Sequence, residues 1–110
     1  MPFYLTQFSY TPATWAKLIS NPEDRRGAAR QYIEAVGGSL HGFWYAFGGH
    51  DAYILWEAPD NVSMAATALA ISAGGALSSF ETTVLMTVED TLAALKKASS
   101  IAYRPPGEKA

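Results

Sequence analysis

The feature that most constrains this chain is a pair of β-rich runs, residues 39–48 and 50–58, that meet at Gly48-Gly49. Both runs are dense in aromatic and aliphatic residues, which favour strands. Glycine takes positive φ at little cost, as both central positions of a tight two-residue hairpin turn require. The sequence therefore predicts a β-hairpin with its turn at Gly48-Gly49.

A two-residue turn fixes which side chains share a face of the hairpin, because strand side chains alternate. One face is mostly apolar and suits contact with helices. Its predicted cross-strand pairs are Phe47–His50, Tyr45–Ala52, Phe43–Ile54 and His41–Trp56. The other face mixes large aromatics with two acids. Its predicted pairs are Ala46–Asp51, Trp44–Tyr53, Gly42–Leu55 and Leu40–Glu57. We expect a second copy of the chain to cover this second face, enclosing a semi-polar cavity.

Helix start and stop signals divide the rest of the chain. Thr11-Pro12, Asn21-Pro22, Asp60 and Thr87 are typical of helix starts, and Gly37-Gly38 and Gly74-Gly75 of helix ends. The predicted order is β-α-β-β-α-β-α, with outer strands at 3–10 and 77–87 and a last helix carrying Leu92 and Leu95. This order indicates an α+β, ferredoxin-like βαββαβ fold with an extra C-terminal helix and a four-stranded antiparallel sheet.

Composition limits the function classes and the partners. Charged residues are 16% of the chain, against roughly 25% in typical soluble domains, which favours a surface covered by another copy. The net charge of −2 gives no basic footprint for nucleic acid, and no apolar run is long enough for a membrane span. The chain has no cysteine, which excludes disulfides and thiolate chemistry. We expect a cytoplasmic protein without a cofactor, with one domain at 1–103 and a polar tail at 104–110.

Several short motifs together resemble the GYD-domain family. The motifs are Pro2-x-Tyr4, Asn21-Pro22, Val36-Gly37-Gly38, Gly48-Gly49-His50-Asp51 and Glu57-Ala58-Pro59-Asp60. They span roughly residues 2–98, and His50 stands where the Gly-Tyr-Asp signature has tyrosine. The resemblance implies a dimeric α+β barrel, in agreement with the uncovered face, and it implies no particular reaction.

The candidate site residues lie on the hairpin. His41 and His50 are separated by six residues of strand, roughly 20 Å, so one chain cannot bring both to a metal ion. Asp51 and Glu57 are equally far apart, too far for a paired-carboxylate mechanism. Asp51 or His50 could act singly as a base, and apolar walls would raise the pKa of such a carboxyl. Alternatively, Asp51 only accepts hydrogen bonds beside the turn.

The favoured prediction is a homodimer or larger homo-oligomer that binds a small apolar or aromatic molecule between its sheets. Its pocket would be bounded by Trp44, Tyr53 and Asp51, with His50 at the rim and Glu57 further along the same face. One alternative is a cofactor-independent oxygenase or isomerase using Asp51 or His50 as base, which rests on fold analogy alone. A second is a purely structural or regulatory assembly protein. The adjacent Arg25 and Arg26, preceded by two acids, indicate a solvated helix face rather than a phosphate site.

Overall fold

Eight elements make up the computed structural model, which describes residues 1–108. In chain order they are β1 (Phe3–Tyr10), α1 (Pro12–Ser20), α2 (Arg26–Ala35), β2 (Ser39–Tyr45), β3 (Ala52–Glu57), α3 (Asn61–Ala73), β4 (Leu77–Leu85) and α4 (Val88–Ala98). The strands form one antiparallel sheet in the order β2-β3-β1-β4. The predicted α+β, roughly ferredoxin-like fold with an extra C-terminal helix is confirmed.

The central strand β1 separates the two faces of the sheet by strict alternation. Tyr4, Thr6, Phe8 and Tyr10 are buried, whereas the residues between them are only partly covered. The buried side faces α1, α2 and α3, and it packs with buried residues of β3 and α2. These are Ala52, Ile54, Trp56 and Ile33. One face of the sheet is therefore the core, and none of α1, α2 and α3 covers the other.

Three of the predicted helix starts are confirmed by their capping hydrogen bonds. The side-chain oxygens of Thr11, Asp60 and Thr87 accept from the backbone N–H three residues later, at 3.2, 2.8 and 3.0 Å. These bonds satisfy N–H groups that the first turn leaves unpaired. These three helices therefore begin where local chemistry alone would start them. The start predicted at Asn21-Pro22 is wrong, because α2 begins only at Arg26 and has no side-chain cap.

The predicted two-residue turn at Gly48-Gly49 is wrong. The strands stop at Tyr45 and resume at Ala52, so residues 46–51 form a longer connection, in which Phe47 and His50 are not paired as strand residues. The connection is held by the Ala46 N–H donating to the Asp51 carbonyl at 2.8 Å. Among the described glycines only three, at 37, 75 and 107, have positive φ. Gly48 and Gly49 therefore do not adopt the positive φ that the predicted two-residue turn requires.

The predicted register is wrong at one end of the hairpin. Pairing follows the prediction from Tyr45–Ala52 to Gly42–Leu55, and a bulge then intervenes before Leu40–Trp56. The extra residue is His41, which the prediction paired with Trp56 on the helix side. The bulge turns it to the opposite face, where its Nε2 lies 2.6 Å from Oε1 of Glu57.

The C-terminal helix α4 stands clear of the rest of the chain. None of its residues is buried, and Val88, Leu92 and Leu95 are each more than half exposed. The described chain extends 63 Å along its long axis, and its radius of gyration is 18.2 Å. A compact chain of this length would have a radius of gyration of about 13 Å. The extra helix therefore adds no core to this chain.

Glycines 38 and 48 provide a matched test of the backbone. A Cβ at Gly38 would overlap the carbonyl oxygen of Glu57 and crowd Ile33, whereas a Cβ at Gly48 meets nothing within 4 Å. We expect Gly38→Ala to lower the free energy of unfolding by about 2 kcal/mol or more. Gly48→Ala should change it by less than about 0.5 kcal/mol. Urea unfolding followed by circular dichroism measures both changes. A large loss of stability in Gly48→Ala would contradict the longer connection and support the two-residue turn.

Candidate functional site

The open face is the side of the sheet that α1, α2 and α3 do not cover. Its side chains form rows across the four strands. The row nearest the 46–51 connection is Trp44, Tyr53, Gln7 and Glu81. The next row is Gly42, Leu55, Leu5 and Thr83. The third contains Glu57, Phe3 and Leu85, with His41 from the bulge beside it. The open face is therefore an apolar centre bordered by carboxylates and imidazoles.

Trp44 lies flat along the open face. It pairs with Tyr53 as predicted, and a Cβ added at Gly42 would overlap its six-membered ring. The indole therefore covers the glycine and leaves 55% of Trp44 exposed. A large aromatic ring held flat and half exposed is typical of a surface that contacts another molecule.

Both histidines of the chain lie beside carboxylates. The His50 ring packs edge-on against Tyr53 at 6.2 Å, and its Nε2 is 3.2 Å from Oε2 of Glu81 on β4. His41 makes the 2.6 Å contact with Glu57 at the other end of the face. Trp44 and Tyr53 thus pair as the sequence predicted, whereas His50, which the predicted pairing with Phe47 put on the helix side, lies beside Tyr53 on the open face. Glu57 is at the far end of the same face with His41.

Asp51 does not join this group. Its Oδ2 accepts from the backbone N–H of Tyr10 at 3.1 Å and from the indole N–H of Trp15 at 3.1 Å. Trp15 belongs to α1, so the Asp51 carboxylate lies toward the helix side of the sheet. These bonds fasten the 46–51 connection to β1 and α1. A catalytic role for Asp51 or His50 stays a prediction. The two side chains lie on different sides of the sheet, Asp51 toward the helices and His50 on the open face.

A cleft lined mainly by aromatic and aliphatic side chains lies on the opposite side of the sheet. This aromatic cleft runs between α2 and α3 and has a volume of about 270 Å³. Its floor is formed by sheet residues and its walls by α2, α3 and β4. The floor residues are Phe8, Tyr10, Phe43 and Ile54; the wall residues include Arg25, Tyr32, Ala70, Ile71, Gly74 and Phe80. The cleft is open because the α3 side chain at Ala70 is small, and most of the side chains that line it from the sheet are aromatic.

The polar end of the cleft is formed by Tyr10, Tyr32 and Arg25. Burial raises the pKa of Tyr10, and its neighbour Tyr45, with the two hydroxyl oxygens 3.4 Å apart, raises it further. Burial also raises the pKa of Tyr32, against the opposing effect of the Arg25 charge. Both phenols therefore stay neutral at physiological pH and can donate hydrogen bonds. A concave apolar site with a few convergent polar groups is the usual form of a small-molecule site.

Sequence reasoning missed the cleft and the part Arg25 takes in it. Arg25 was expected on a solvated helix face, but it precedes α2, which begins only at Arg26, and it lines the cleft. The available signal was the run of small residues from Ala65 to Gly75, opposite strands rich in aromatic residues. This signal could not be used from the sequence alone. Small side chains on a helix predict a gap above the sheet only when the distance between the helix and the sheet is known.

Between residues 1 and 108, no three histidine or acidic side chains cluster closely enough to hold a metal ion. Within the same range, none of the helices combines the length and apolar character needed to cross a membrane.

The fold and the two surfaces define a small α+β protein with a split βαβ sheet, one covered face and one open face. The family model of the GYD domain matches residues 4–95. The chain therefore belongs to the GYD domain family, and the resemblance seen in its motifs is confirmed. No curated protein matches the chain.

The two hydrogen bonds to Asp51 give a prediction about stability. Asp51→Ala would leave the Tyr10 N–H and the Trp15 indole N–H without their acceptor. We expect it to lower the free energy of unfolding by about 2 kcal/mol. Asp51→Asn keeps one accepting oxygen and should lose less.

Asp90→Ala is a matched control for these variants, because Asp90 is exposed on α4. It should change the free energy of unfolding by less than about 0.5 kcal/mol. Chemical unfolding of the three variants measures the differences. Equal stability of Asp51→Ala and Asp90→Ala would show that the Asp51 carboxylate does not fasten the connection.

Proposed function

We propose that the protein is a homodimeric binding protein that holds a small apolar or aromatic molecule. The observation that carries the binding function is the aromatic cleft of about 270 Å³. A cavity of roughly 150 Å³ in another protein is large enough for benzene. The cleft therefore suits a molecule with one or two rings, or an alkyl chain of similar volume. The proposed binding site is therefore on the helix side of the sheet, and not between the sheets of two chains as the sequence predicted.

The open face supports the dimer. It exposes Trp44 and Leu85, whose neighbours Leu5 and Leu55 are only partly covered. Two such sheets can pack face to face about 10 Å apart. The low charged fraction of the sequence, 16%, agrees with a surface that a second copy covers. The partner of this face is thus proposed to be the same face of another chain.

The enzymatic alternative has less support. The Asp51 Oδ2 already accepts two hydrogen bonds, and His50 lies on the open face, away from the cleft. Neither lines the cleft, so a molecule bound there would not meet the predicted base. A purely structural or regulatory assembly protein would have no need of the cleft. Binding is therefore the function that the geometry supports best.

Dimerisation is tested with a charge on the open face. Trp44 is 55% exposed in the single chain, so Trp44→Glu should spare the fold of the protomer and disfavour a sheet-to-sheet contact. We expect light scattering at micromolar concentration to give a dimer for the wild type and 11.8 kDa for Trp44→Glu. Ile19→Glu, at a 78% exposed position on α1, should remain a dimer. A monomeric wild type, or a dimeric Trp44→Glu, would refute this assembly.

Binding is tested by filling the cleft. Ala70 lines it from α3, whereas Ala65, on the same helix, does not line it and lies about half a helical turn from the buried Thr67. Naphthalene-sized aromatic compounds, neutral and anionic, are screened by isothermal titration calorimetry. We expect Ala70→Trp to abolish the binding of any hit and Ala65→Trp to retain it. A hit that binds Ala70→Trp as tightly as the wild type would place the site elsewhere.

A further inference from the structure

We propose that the molecule held in the aromatic cleft is a carboxylic acid with an aromatic or short alkyl body, and that Arg25 binds its carboxylate. This inference rests on the proposed binding function and names the chemical class of the ligand. It follows from three properties of the cleft: the sign of its charge, the hydrogen-bond donors at its polar end, and its volume.

The charge in the cleft is positive. Among the described residues that line it, Arg25 is the single charged side chain, and no aspartate or glutamate is present. Its side chain is 35% exposed, so water screens its charge less than that of a fully exposed arginine. A bound anion would therefore meet a cation on the cleft wall, and the carboxylate that pairs with this cation, that of Glu23, is not part of the lining.

Arg25 has donors to spare. One guanidinium nitrogen, Nη1, lies 2.8 Å from Oε2 of Glu23, and Glu23 does not line the cleft. A guanidinium carries five N–H donors in a planar fork that matches the two oxygens of a carboxylate. The contact with Glu23 thus holds the guanidinium in place and leaves donors for a ligand.

The neighbouring phenols add donors and no negative charge. Tyr10 and Tyr32 line the cleft with Arg25, and both are neutral at pH 7, since an ordinary phenol has a pKa near 10 and burial raises the pKa of these two further. Neutral hydroxyls can donate to an anion that a phenolate would repel. The lining also includes apolar side chains such as Ile71 and Phe80, which suit the body of the molecule.

The test compares two probes that differ in charge and little in shape, 2-naphthoate and 2-naphthamide, by calorimetry at pH 7. The wild type should bind the carboxylate roughly tenfold more tightly, because hydrogen bonds to charged groups are the stronger ones. Arg25→Gln should remove this preference, because it weakens the binding of the carboxylate far more than that of the amide. Arg25→Lys, which keeps the charge but not the fork, should retain part of the preference.

Arg26→Gln is the matched control. Arg26 is adjacent to Arg25, is paired with Asp24 at 2.7 Å and does not line the cleft, so the variant should keep the preference. Equal wild-type affinity for the two probes would overturn the carboxylate inference and leave the binding function standing. A preference that survives Arg25→Gln would overturn the role of Arg25. Failure of both probes to bind any variant would overturn the inference together with the proposed function.

Discussion

The alternation of β1 is the constraint on which the rest of the structure depends. This strand pairs on both sides, with β3 and β4, so its choice of buried residues sets the faces of both neighbours. Tyr4, Thr6, Phe8 and Tyr10 face the helices, and two of them, Phe8 and Tyr10, form part of the cleft floor. The same alternation puts Phe3, Leu5 and Gln7 on the open face. Side chains on opposite sides of β1 thus contribute to the cleft and to the proposed dimer surface.

Asp51 links the connection between β2 and β3 to the cleft. Its carboxylate accepts hydrogen bonds from the backbone N–H of Tyr10 and the indole N–H of Trp15. The Trp15 ring packs edge-on against Tyr10, with the ring centroids 5.0 Å apart. Tyr10 in turn lies beside Tyr45 and Arg25 at the polar end of the cleft. A residue that the sequence presents as a candidate base therefore has a clear positioning role, since it helps fix the ring and backbone of a cleft residue.

The sequence predicted features that depend on near neighbours and missed those that depend on distant ones. The caps at Thr11 and Asp60 need only local chemistry, and the pairing of Trp44 with Tyr53 needs only alternation. The bulge at His41 interrupts a run whose alternation gives no sign of it. The length of the 46–51 connection depends on contacts with β1 and α1, which no local motif reveals. The cleft depends on how α3 sits above the sheet, and so does the place of Arg25.

The bulge in β2 also protects the outer edge of the sheet. β2 is an edge strand, and edge strands carry a row of backbone donors and acceptors that can pair with a strand of any other chain. A regular edge of this kind is a starting point for aggregation. The extra residue at His41 breaks the even spacing of those groups and increases the local twist. A feature first seen as a slip in register thus works against uncontrolled edge-to-edge growth, while the broad face of the sheet stays available for a specific contact.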